Sequence, residues 1–255
     1  MSAAGANPVQ LTEGTGSAAA PAWSPDGSRI VFSRAHCTAF CEEFFMELRT
    51  VNSNGTGEAE ILESGFTLEP RWSPDGTEIA LGYGFAHGTP WIAAVAPDGS
   101  NLRNLTSGDN CFDYAPDWSP DGTRLVFEGD NALFTINRDG TGRSRPCFPA
   151  GAFAGDAPVW SPDGAKIAFV HQGAPFEVRV ANPDFTGETT VTAMNPSGVN
   201  LGPPRGLDWQ SLPVDAKNRS KACRAERERL GATEFANRYG GGADAHGRCV
   251  SSKGT

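Results

Sequence analysis

Four polar side chains occur at one recurring place along the chain, and they are the first candidates for chemistry. His36, His87 and His171 each follow a short stretch of alternating apolar residues, and Asp130 stands at the corresponding place between His87 and His171. Imidazole and carboxylate groups that converge on one point are suited to binding a divalent cation or a polar ligand. The alternative is that they are ordinary polar residues at the mouths of loops.

Recognisable catalytic motifs are absent from the sequence. It contains no GxSxG elbow, HExxH motif, P-loop or dinucleotide-binding fingerprint. With four histidines and no Ser/His/Asp arrangement of familiar spacing, a hydrolase has little support. We therefore expect no catalytic residues and no cofactor beyond an optional divalent cation.

An internal repeat must position the candidate residues. The copies are PAWSPDGSRIVFSR (21–34), PRWSPDGTEIALGYG (70–84), PDWSPDGTRLVFEGD (116–130), PVWSPDGAKIAFVHQ (158–172) and a degenerate GLDWQSLP (206–213). Their tryptophans are Trp23, Trp72, Trp118, Trp160 and Trp209, separated by 49, 46, 42 and 49 residues. A period of about 40–50 residues is typical of a four-stranded propeller blade.

Each unit predicts two β-hairpins. The first strand ends at the Trp, and SPDG turns the chain because Pro presets φ, Asp bonds nearby backbone and Gly accepts positive φ. An alternating second strand follows, then third strands at 45–51, 91–95, 133–136 and 177–180, a second turn, and a fourth strand such as Leu102–Leu105. We interpret the Trp as packing between blades. The four turn aspartates are interpreted as structural: Asp26, Asp75, Asp121 and Asp163.

The sequence predicts an all-β fold: a β-propeller with four clear blades, a partial or merged closing blade and a short helical tail. Residues 8–12 read as the last strand of a blade, and residues 206–210 read as the first strand of another. Joined, they would give half a blade, so the chain is either a shortened propeller or a piece of a longer one. The expected divisions are a disordered start (1–6), the propeller (7–213) and the tail (214–255).

The tail and the cysteines suggest disulfides. Ser220 is a plausible helix N-cap, Gly240 ends the helical stretch, and a marginal helix would benefit from a Cys223–Cys249 bond. The six cysteines fall as three close pairs: Cys37 and Cys41, Cys111 and Cys147, and Cys223 and Cys249. An even count without metal-binding spacing favours disulfides and an oxidising compartment, although six cysteines allow 15 pairings. The loop 35–45, with its Cys pair, is a candidate partner contact.

The charge distribution argues against a nucleic-acid partner, and the hydropathy argues against a membrane span. Residues 215–255 hold 9 basic and 5 acidic residues, so residues 1–214 hold 12 basic and 25 acidic ones. An acidic body repels phosphate backbones, which argues against nucleic acid. The sequence has no apolar run long enough to span a membrane, and no signal peptide is visible at its start.

The WSPDG units, the NxDG or APDG second turns and the closing Leu-Thr pairs (11–12 and 105–106) strongly resemble the TolB-type, WD-like propeller repeat over residues 7–213. The resemblance implies a propeller, commonly with six blades, in periplasmic Tol-Pal, sensor or lipoprotein proteins or in prolyl oligopeptidases. The chain lacks the N-terminal domain of TolB and has fewer blades, which argues against a specific Tol-Pal role. Residues 220–252 resemble a short C-terminal module of secreted actinobacterial proteins.

The leading hypothesis is a non-enzymatic, periplasmic or secreted binding scaffold that contacts protein or cell-envelope glycan through its loop face. The alternative is a metal-dependent polysaccharide lyase or hydrolase, because related oligogalacturonide lyases carry histidine-bound metal on such a face. A third hypothesis is a truncated chain without independent function, which would associate through unpaired strand edges.

Overall fold

The computed structural model describes residues 9–12, 16–37, 44–63, 65–84, 88–106, 111–130, 132–144, 155–171 and 176–194. The chain divides into two compact units, Met1–Trp209 and Gln210–Thr255. All described residues belong to the first unit. The expected disordered start, the degenerate fifth repeat with Trp209 and the helical tail lie outside them.

Within the described residues, four antiparallel sheets follow one another in sequence, and each corresponds to one WSPDG repeat. Blade 1 comprises β1 (Ser17–Trp23), β2 (Arg29–Cys37), β3 (Phe44–Asn52) and β4 (Ala59–Leu62). Blade 2 comprises β5 (Phe66–Trp72), β6 (Ile79–Gly84), β7 (Trp91–Val95) and β8 (Arg103–Asn104). Blade 3 comprises β9 (Asp113–Trp118), β10 (Arg124–Gly129) and β11 (Ala132–Asn137). Blade 4 comprises β12 (Asp156–Trp160), β13 (Ile167–His171), β14 (Phe176–Ala181) and β15 (Thr189–Met194).

This architecture confirms the predicted all-β propeller class, with two differences in the fourth strands. Residues 9–12 form no strand in the structure. Instead, Leu11 packs on the apolar side chains of Ile30, Phe32 and Val51 in blade 1. The strand expected at 102–105 is limited to Arg103–Asn104, because the Ile92 N–H is taken by the Thr106 Oγ1 at 2.9 Å instead of a ladder carbonyl.

The SPDG turns form as the residue types dictate. In the first turn, Asp26 Oδ1 accepts hydrogen bonds from Ser24 Oγ at 2.6 Å and from the Ser28 N–H at 3.0 Å. The hydrogen bonds from Ser24 and Ser28 lower the pKa of Asp26 to about 2. The same acceptor geometry recurs at Asp75, Asp121 and Asp163. These aspartates are turn acceptors in all four blades.

The core lies between consecutive blades. We call the side of a blade that faces the preceding repeat its leading face, and the opposite side its trailing face. The first strand of each later blade packs on the middle strands of the blade before it. On the trailing face of blade 2, Ala80 and Ile92 join one apolar cluster with Phe127 and Phe134 on the leading face of blade 3. Stacking therefore buries apolar area that one sheet would leave exposed.

The repeated tryptophans do not share one environment. Trp72, Trp118 and Trp160 are 8%, 5% and 7% exposed, whereas Trp23 is 59% exposed. The inter-blade packing expected of Trp23 is not formed by the described residues. The reason is that blades 2, 3 and 4 each follow a described blade that covers their leading face, and blade 1 does not.

Candidate functional site

The structure places three of the four predicted ring residues at one end of the second strands, and His87 lies outside the described residues. His36 is in β2, and its Nε2 lies 3.1 Å from Glu47 Oε2. His171 ends β13, and Asp130 directly follows β10 with a φ of 48°. In the part of the chain that the structure describes, no three His, Cys, Asp or Glu side chains come together as a metal-binding group. The divalent-cation site therefore stays a prediction.

A buried ion pair lies beside the strand end that carries Asp130. The Arg143 guanidinium donates to both carboxylate oxygens of Asp113 at 2.9 Å each. Its central carbon lies 5.2 Å and 4.5 Å from the ring centres of Phe127 and Phe134. Burial raises the pKa of Asp113, while hydrogen bonds from Arg143 and Thr106 oppose the rise. The pair joins the start of β9 to the segment after β11.

The first strand of every blade contains the same bulge. The residue three before the repeat Trp has positive φ, at Ala20 (51°), Glu69 (48°), Ala115 (51°) and Ala157 (49°). A proline follows each of them, and the pairing register with the second strand shifts at this point in all four blades. Proline has no N–H to donate and leaves the ladder, which makes it typical of bulges.

The four bulges line one cavity of about 440 Å³. Its walls are mostly apolar side chains and main chain, with three larger polar side chains. The lining residues are Ala19, Ala20, Pro21, Ser33, Met46, Leu68, Glu69, Arg71, Tyr114, Ala115, Pro116, Ala157, Pro158 and Val159. A cavity of this size with few polar groups is typical of a preformed ligand site. We call it the axial cavity.

A hydrogen-bonded network of side chains supports one wall of the axial cavity. The Tyr114 hydroxyl donates to Glu128, which is 3% exposed. Glu128 also faces the Ala157 N–H, at 3.4 Å, and the Asp156 carboxyl of blade 4. Burial and the hydrogen bond to Asp156 raise the pKa of Glu128 to about 8, and burial raises the pKa of Tyr114 as well. These contacts join Tyr114 and Glu128 of blade 3 to Asp156 and Ala157 of blade 4.

Of the six cysteines predicted to form disulfides, the described residues include the side chain of Cys111. Cys111 is buried and disulfide-bonded, and its bonding partner lies outside the described residues. The side chains of Cys37, Cys41, Cys147, Cys223 and Cys249 are also outside them.

Sequence reasoning missed the axial cavity and its network. The signal that points to it is the proline two residues before each repeat Trp, at Pro21, Pro70, Pro116 and Pro158. A proline inside a predicted strand indicates a bulge or an edge. Four of them in register predict four bulges that face the propeller axis. The network of Tyr114, Glu128 and Asp156 has no comparable signal, because Glu128 and Asp156 occupy different repeat positions.

Comparisons with known proteins identify relatives by sequence family and by fold. The family model described as the TolB beta propeller domain matches residues 1–203. No curated protein matches the sequence significantly.

Three solved structures are informative. TolB from Acinetobacter baumannii is 21% identical with a TM-score of 0.59, and the match covers 75% of this chain and 47% of that one. Oligogalacturonate lyase from Vibrio parahaemolyticus is 21% identical with a TM-score of 0.54, and the match covers 74% of this chain and 56% of that one. A puromycin-hydrolyzing peptidase from Mycobacterium tuberculosis is 18% identical with a TM-score of 0.54, and the match covers 68% of this chain and 31% of that one. This chain spans about half the length of the A. baumannii protein, and these similarities show the fold alone.

Proposed function

The chain belongs to the TolB beta propeller domain family, and we propose on this basis that it is a non-enzymatic, extracytoplasmic binding scaffold for a protein or cell-envelope ligand. The observation that carries the proposal is the axial cavity, which four blades build from their bulged first strands. Half of its lining residues are alanine or proline, which have little or no side-chain freedom to lose, so binding there orders few side chains.

The polar groups of the axial cavity favour a peptide-like ligand. Tyr114 presents a ring whose hydroxyl is held by Glu128, and Glu69 and Arg71 supply one charge of each sign. Apolar walls with a small number of oriented polar groups suit an amphipathic side chain together with its backbone amides. The loop face, with the 35–45 loop, would extend the contact.

A cavity-filling variant tests this proposal. Ala115→Phe places a ring in the axial cavity, and Glu69 at the equivalent positive-φ position shows that the backbone accepts a long side chain. The control is Ala165→Phe, the same change in an exposed turn. A phage-displayed peptide library panned on the wild type should yield peptides whose affinity falls about tenfold or more with Ala115→Phe and not with Ala165→Phe. Equal binding by all three proteins would contradict a role for the cavity.

The extracytoplasmic location is supported by the disulfide at Cys111 and by the family. In the described residues, no helix is long and apolar enough to cross a membrane. We propose that all six cysteines are bonded, as three disulfides. Thiol titration of the denatured, unreduced protein should therefore detect no free thiol, and one or more free thiols would contradict it.

The alternative is a metal-dependent lyase or hydrolase, and one observation keeps it testable. His171 Nδ1 and Asp130 Oδ2 are buried without a hydrogen-bond partner among the described residues, at the ends of equivalent strands. The same residues do not assemble a metal donor set, so the alternative rests on these two atoms. Manganese-dependent formation of unsaturated product from oligogalacturonides would establish the alternative and overturn the non-enzymatic proposal.

A further inference from the structure

Consecutive blades place their first turns in the same way at two successive interfaces. A Cβ added to Gly122 in blade 3 would lie 3.6 Å from Pro74 in the first turn of blade 2. One added to Gly164 in blade 4 would lie 3.7 Å from Pro120 in the first turn of blade 3. Because the two pairs of turns have the same spacing, the interface between blades 2 and 3 can be compared position by position with the interface between blades 3 and 4.

One side chain fills the crevice between the turns of blades 2 and 3. Arg138, in the second turn of blade 3, extends across Trp118, with its guanidinium carbon 5.4 Å from a ring centre. Three acceptors of blade 2 hold the guanidinium: Asp75 Oδ2 accepts from Nη1 at 2.7 Å, Thr77 Oγ1 from Nη2 at 2.7 Å and Glu78 Oε2 from Nε at 2.8 Å. This crevice therefore binds a planar group through three hydrogen bonds.

Between blades 3 and 4 the same crevice is a cavity of about 450 Å³, which we call the turn cavity. Pro183 stands where blade 3 has Arg138, directly after the second-turn asparagine, and its ring offers no hydrogen bond. The residues that line the turn cavity are Ser119, Pro120, Asp121, Thr123, Arg124, Trp160, Pro162, Asp163, Gly164 and Pro183. It shares no lining residue with the axial cavity, so the two are separate candidate sites.

The turn cavity keeps two of the three acceptors that hold the arginine in the earlier crevice. The third and fifth residues after the repeat Trp are Asp121 and Thr123, again an aspartate and a threonine. Thr123 donates its N–H and its hydroxyl to Asp121 Oδ1, at 3.1 and 2.9 Å. The same two bonds join Thr77 to Asp75. In both turns these bonds go to Oδ1, so the aspartate Oδ2 and the threonine hydroxyl oxygen face the crevice as acceptors.

The third polar group of the turn cavity is a donor instead of an acceptor. The sixth residue after the repeat Trp is Arg124, where blade 2 has Glu78. Its guanidinium carbon lies 5.8 Å from a ring centre of Trp160, and its Nη2 donates to Thr135 Oγ1 at 2.8 Å. Arg124 would repel a second guanidinium, and Asp121 would repel a carboxylate. The group that fits this cavity is therefore uncharged, with two donors and one acceptor.

At the interface between blades 1 and 2, the corresponding carboxylate is already engaged. Ser28, at the threonine position, donates its hydroxyl to both carboxylate oxygens of Asp26, at 2.9 Å each. The sixth residue after the repeat Trp is Arg29, whose guanidinium carbon lies 5.1 Å from a ring centre of Trp72. The arrangement of the turn cavity, in which the hydroxyl bonds Oδ1 and leaves Oδ2 for a ligand, is therefore not repeated at this interface.

A primary carboxamide has the planar shape and the three polar groups that the turn cavity requires. Its two N–H groups can donate to Asp121 Oδ2 and Thr123 Oγ1, and its oxygen can accept from Arg124. We propose that the turn cavity is a second ligand site, which binds the carboxamide of a glutamine side chain presented by a protein partner. Arg138 enters the equivalent crevice on a stem of three CH₂ groups, and glutamine has a longer stem than asparagine. The acetamido group of an amino sugar has one N–H and cannot serve both acceptors.

A specificity switch tests the proposal. N-acetyl-glutamine methylamide is titrated into the ¹⁵N-labelled full chain, and binding is followed at the backbone amide of Gly164, which lines the turn cavity. The arginine and glutamate derivatives of the same form should bind the wild type about tenfold or more weakly. Arg124→Glu recreates the acceptor set of blade 2, where Glu78 shows that the fold accepts a glutamate. This variant should prefer the arginine derivative over the glutamine derivative by about tenfold or more.

Three further variants serve as a second test and as controls. Thr123→Ala removes one acceptor from a turn that accepts alanine, as Ala165 shows in blade 4, and should weaken binding of the glutamine derivative about tenfold. Arg29→Glu makes the same charge change at the sixth position of blade 1 and should leave the preference of the turn cavity unchanged. Ala115→Phe fills the axial cavity and should also leave it unchanged, so this proposal and the proposed function can fail separately.

Three results would overturn the proposal. The first is no saturable change at Gly164 with the glutamine derivative up to about 100 mM. The second is equal binding of the three derivatives to the wild type, which would make the crevice unspecific. The third is an effect of neither Arg124→Glu nor Thr123→Ala on binding of the glutamine derivative. Saturable binding of N-acetylglucosamine at Gly164, with the glutamine derivative inactive, would assign the turn cavity to a cell-envelope glycan instead.

Discussion

Glu128 is expected to make the stability of this protein fall as pH rises. Its carboxyl group lies between blades 3 and 4, where Tyr114 donates to it and Asp156 faces it. Glu128→Gln keeps the size and shape of the side chain. The amide oxygen can still accept the hydrogen bond from Tyr114, and the amide N–H can donate to Asp156. It removes only the ability to ionise, so it isolates the cost of placing a negative charge at this interface.

The magnitude follows from the two pKa values. The pKa of Glu128 rises from its ordinary 4.5 to about 8 on folding, chiefly because of burial. Between these values the folded state holds a proton that the unfolded state has released, so stability is full below about 4.5 and decreases up to about 8. One pKa unit corresponds to about 1.36 kcal/mol, which amounts to a loss of roughly 2–3 kcal/mol between pH 6 and pH 9.

Urea unfolding of wild type and Glu128→Gln at pH 6, 7, 8 and 9 measures this loss. At pH 6 the free energies of unfolding of the two proteins should agree within about 1 kcal/mol, because the glutamine of the variant keeps the hydrogen bonds with Tyr114 and Asp156. At pH 9 the free energy of unfolding of Glu128→Gln should be higher than that of the wild type by roughly 2 kcal/mol. Glu63→Gln, which removes an exposed carboxylate, should follow the wild type. Parallel pH dependences for wild type and Glu128→Gln would refute ionisation of Glu128 as the cause of the loss.

Three further outcomes follow from the described contacts. Trp118→Ala should lower the free energy of unfolding by roughly 3–5 kcal/mol, whereas Trp23→Ala should lower it by less than about 1 kcal/mol because its ring is exposed. Arg143→Met should lower the free energy of unfolding by roughly 3–5 kcal/mol, because it leaves Asp113 buried without its arginine. Adding Asp113→Asn to this variant should recover a large part of the lost stability. Arg138→Met should cost about 1 kcal/mol, less at high salt, because its ion pairs are partly exposed. Urea or thermal unfolding measures all three.

A specific result would contradict each of these three predictions. Equal losses for the two tryptophans would mean that Trp23 is covered in solution. A double variant as unstable as Arg143→Met alone would show that the buried charge is not the cause. A salt-independent effect of Arg138→Met would assign its role to packing on Trp118 instead of to ion pairing.

Much of the fold could be predicted from local signals. Ser, Pro, Asp and Gly in SPDG specify a turn by their own backbone preferences and short-range hydrogen bonds, as Asp26 shows with Ser24 and Ser28. Alternation over residues 29–32 or 166–169 predicts a strand for a similarly local reason. The third strands agree with the structure because they depend on the same two-residue period.

The candidate site was harder to predict because it is made by side chains distant in sequence. Glu128 and Asp156 come from different blades and interact only because β12 packs on β10. Asp113 and Arg143 stand at opposite ends of blade 3 in sequence and meet through its fold. The proline before each Trp was visible, but its consequence, four bulges around one cavity, depends on how the blades are arranged.

The sequence by itself determined the repeat, its turns and the all-β class, since these depend on interactions within a few residues. Only the tertiary structure decided which equivalent residues have equivalent surroundings. Trp72, Trp118 and Trp160 become buried and Trp23 stays exposed, although their local sequences are nearly the same. The physical reason is that burial belongs to the neighbouring blade, which supplies the cation, the turn proline and the apolar strands, and no local pattern reports whether that neighbour is present.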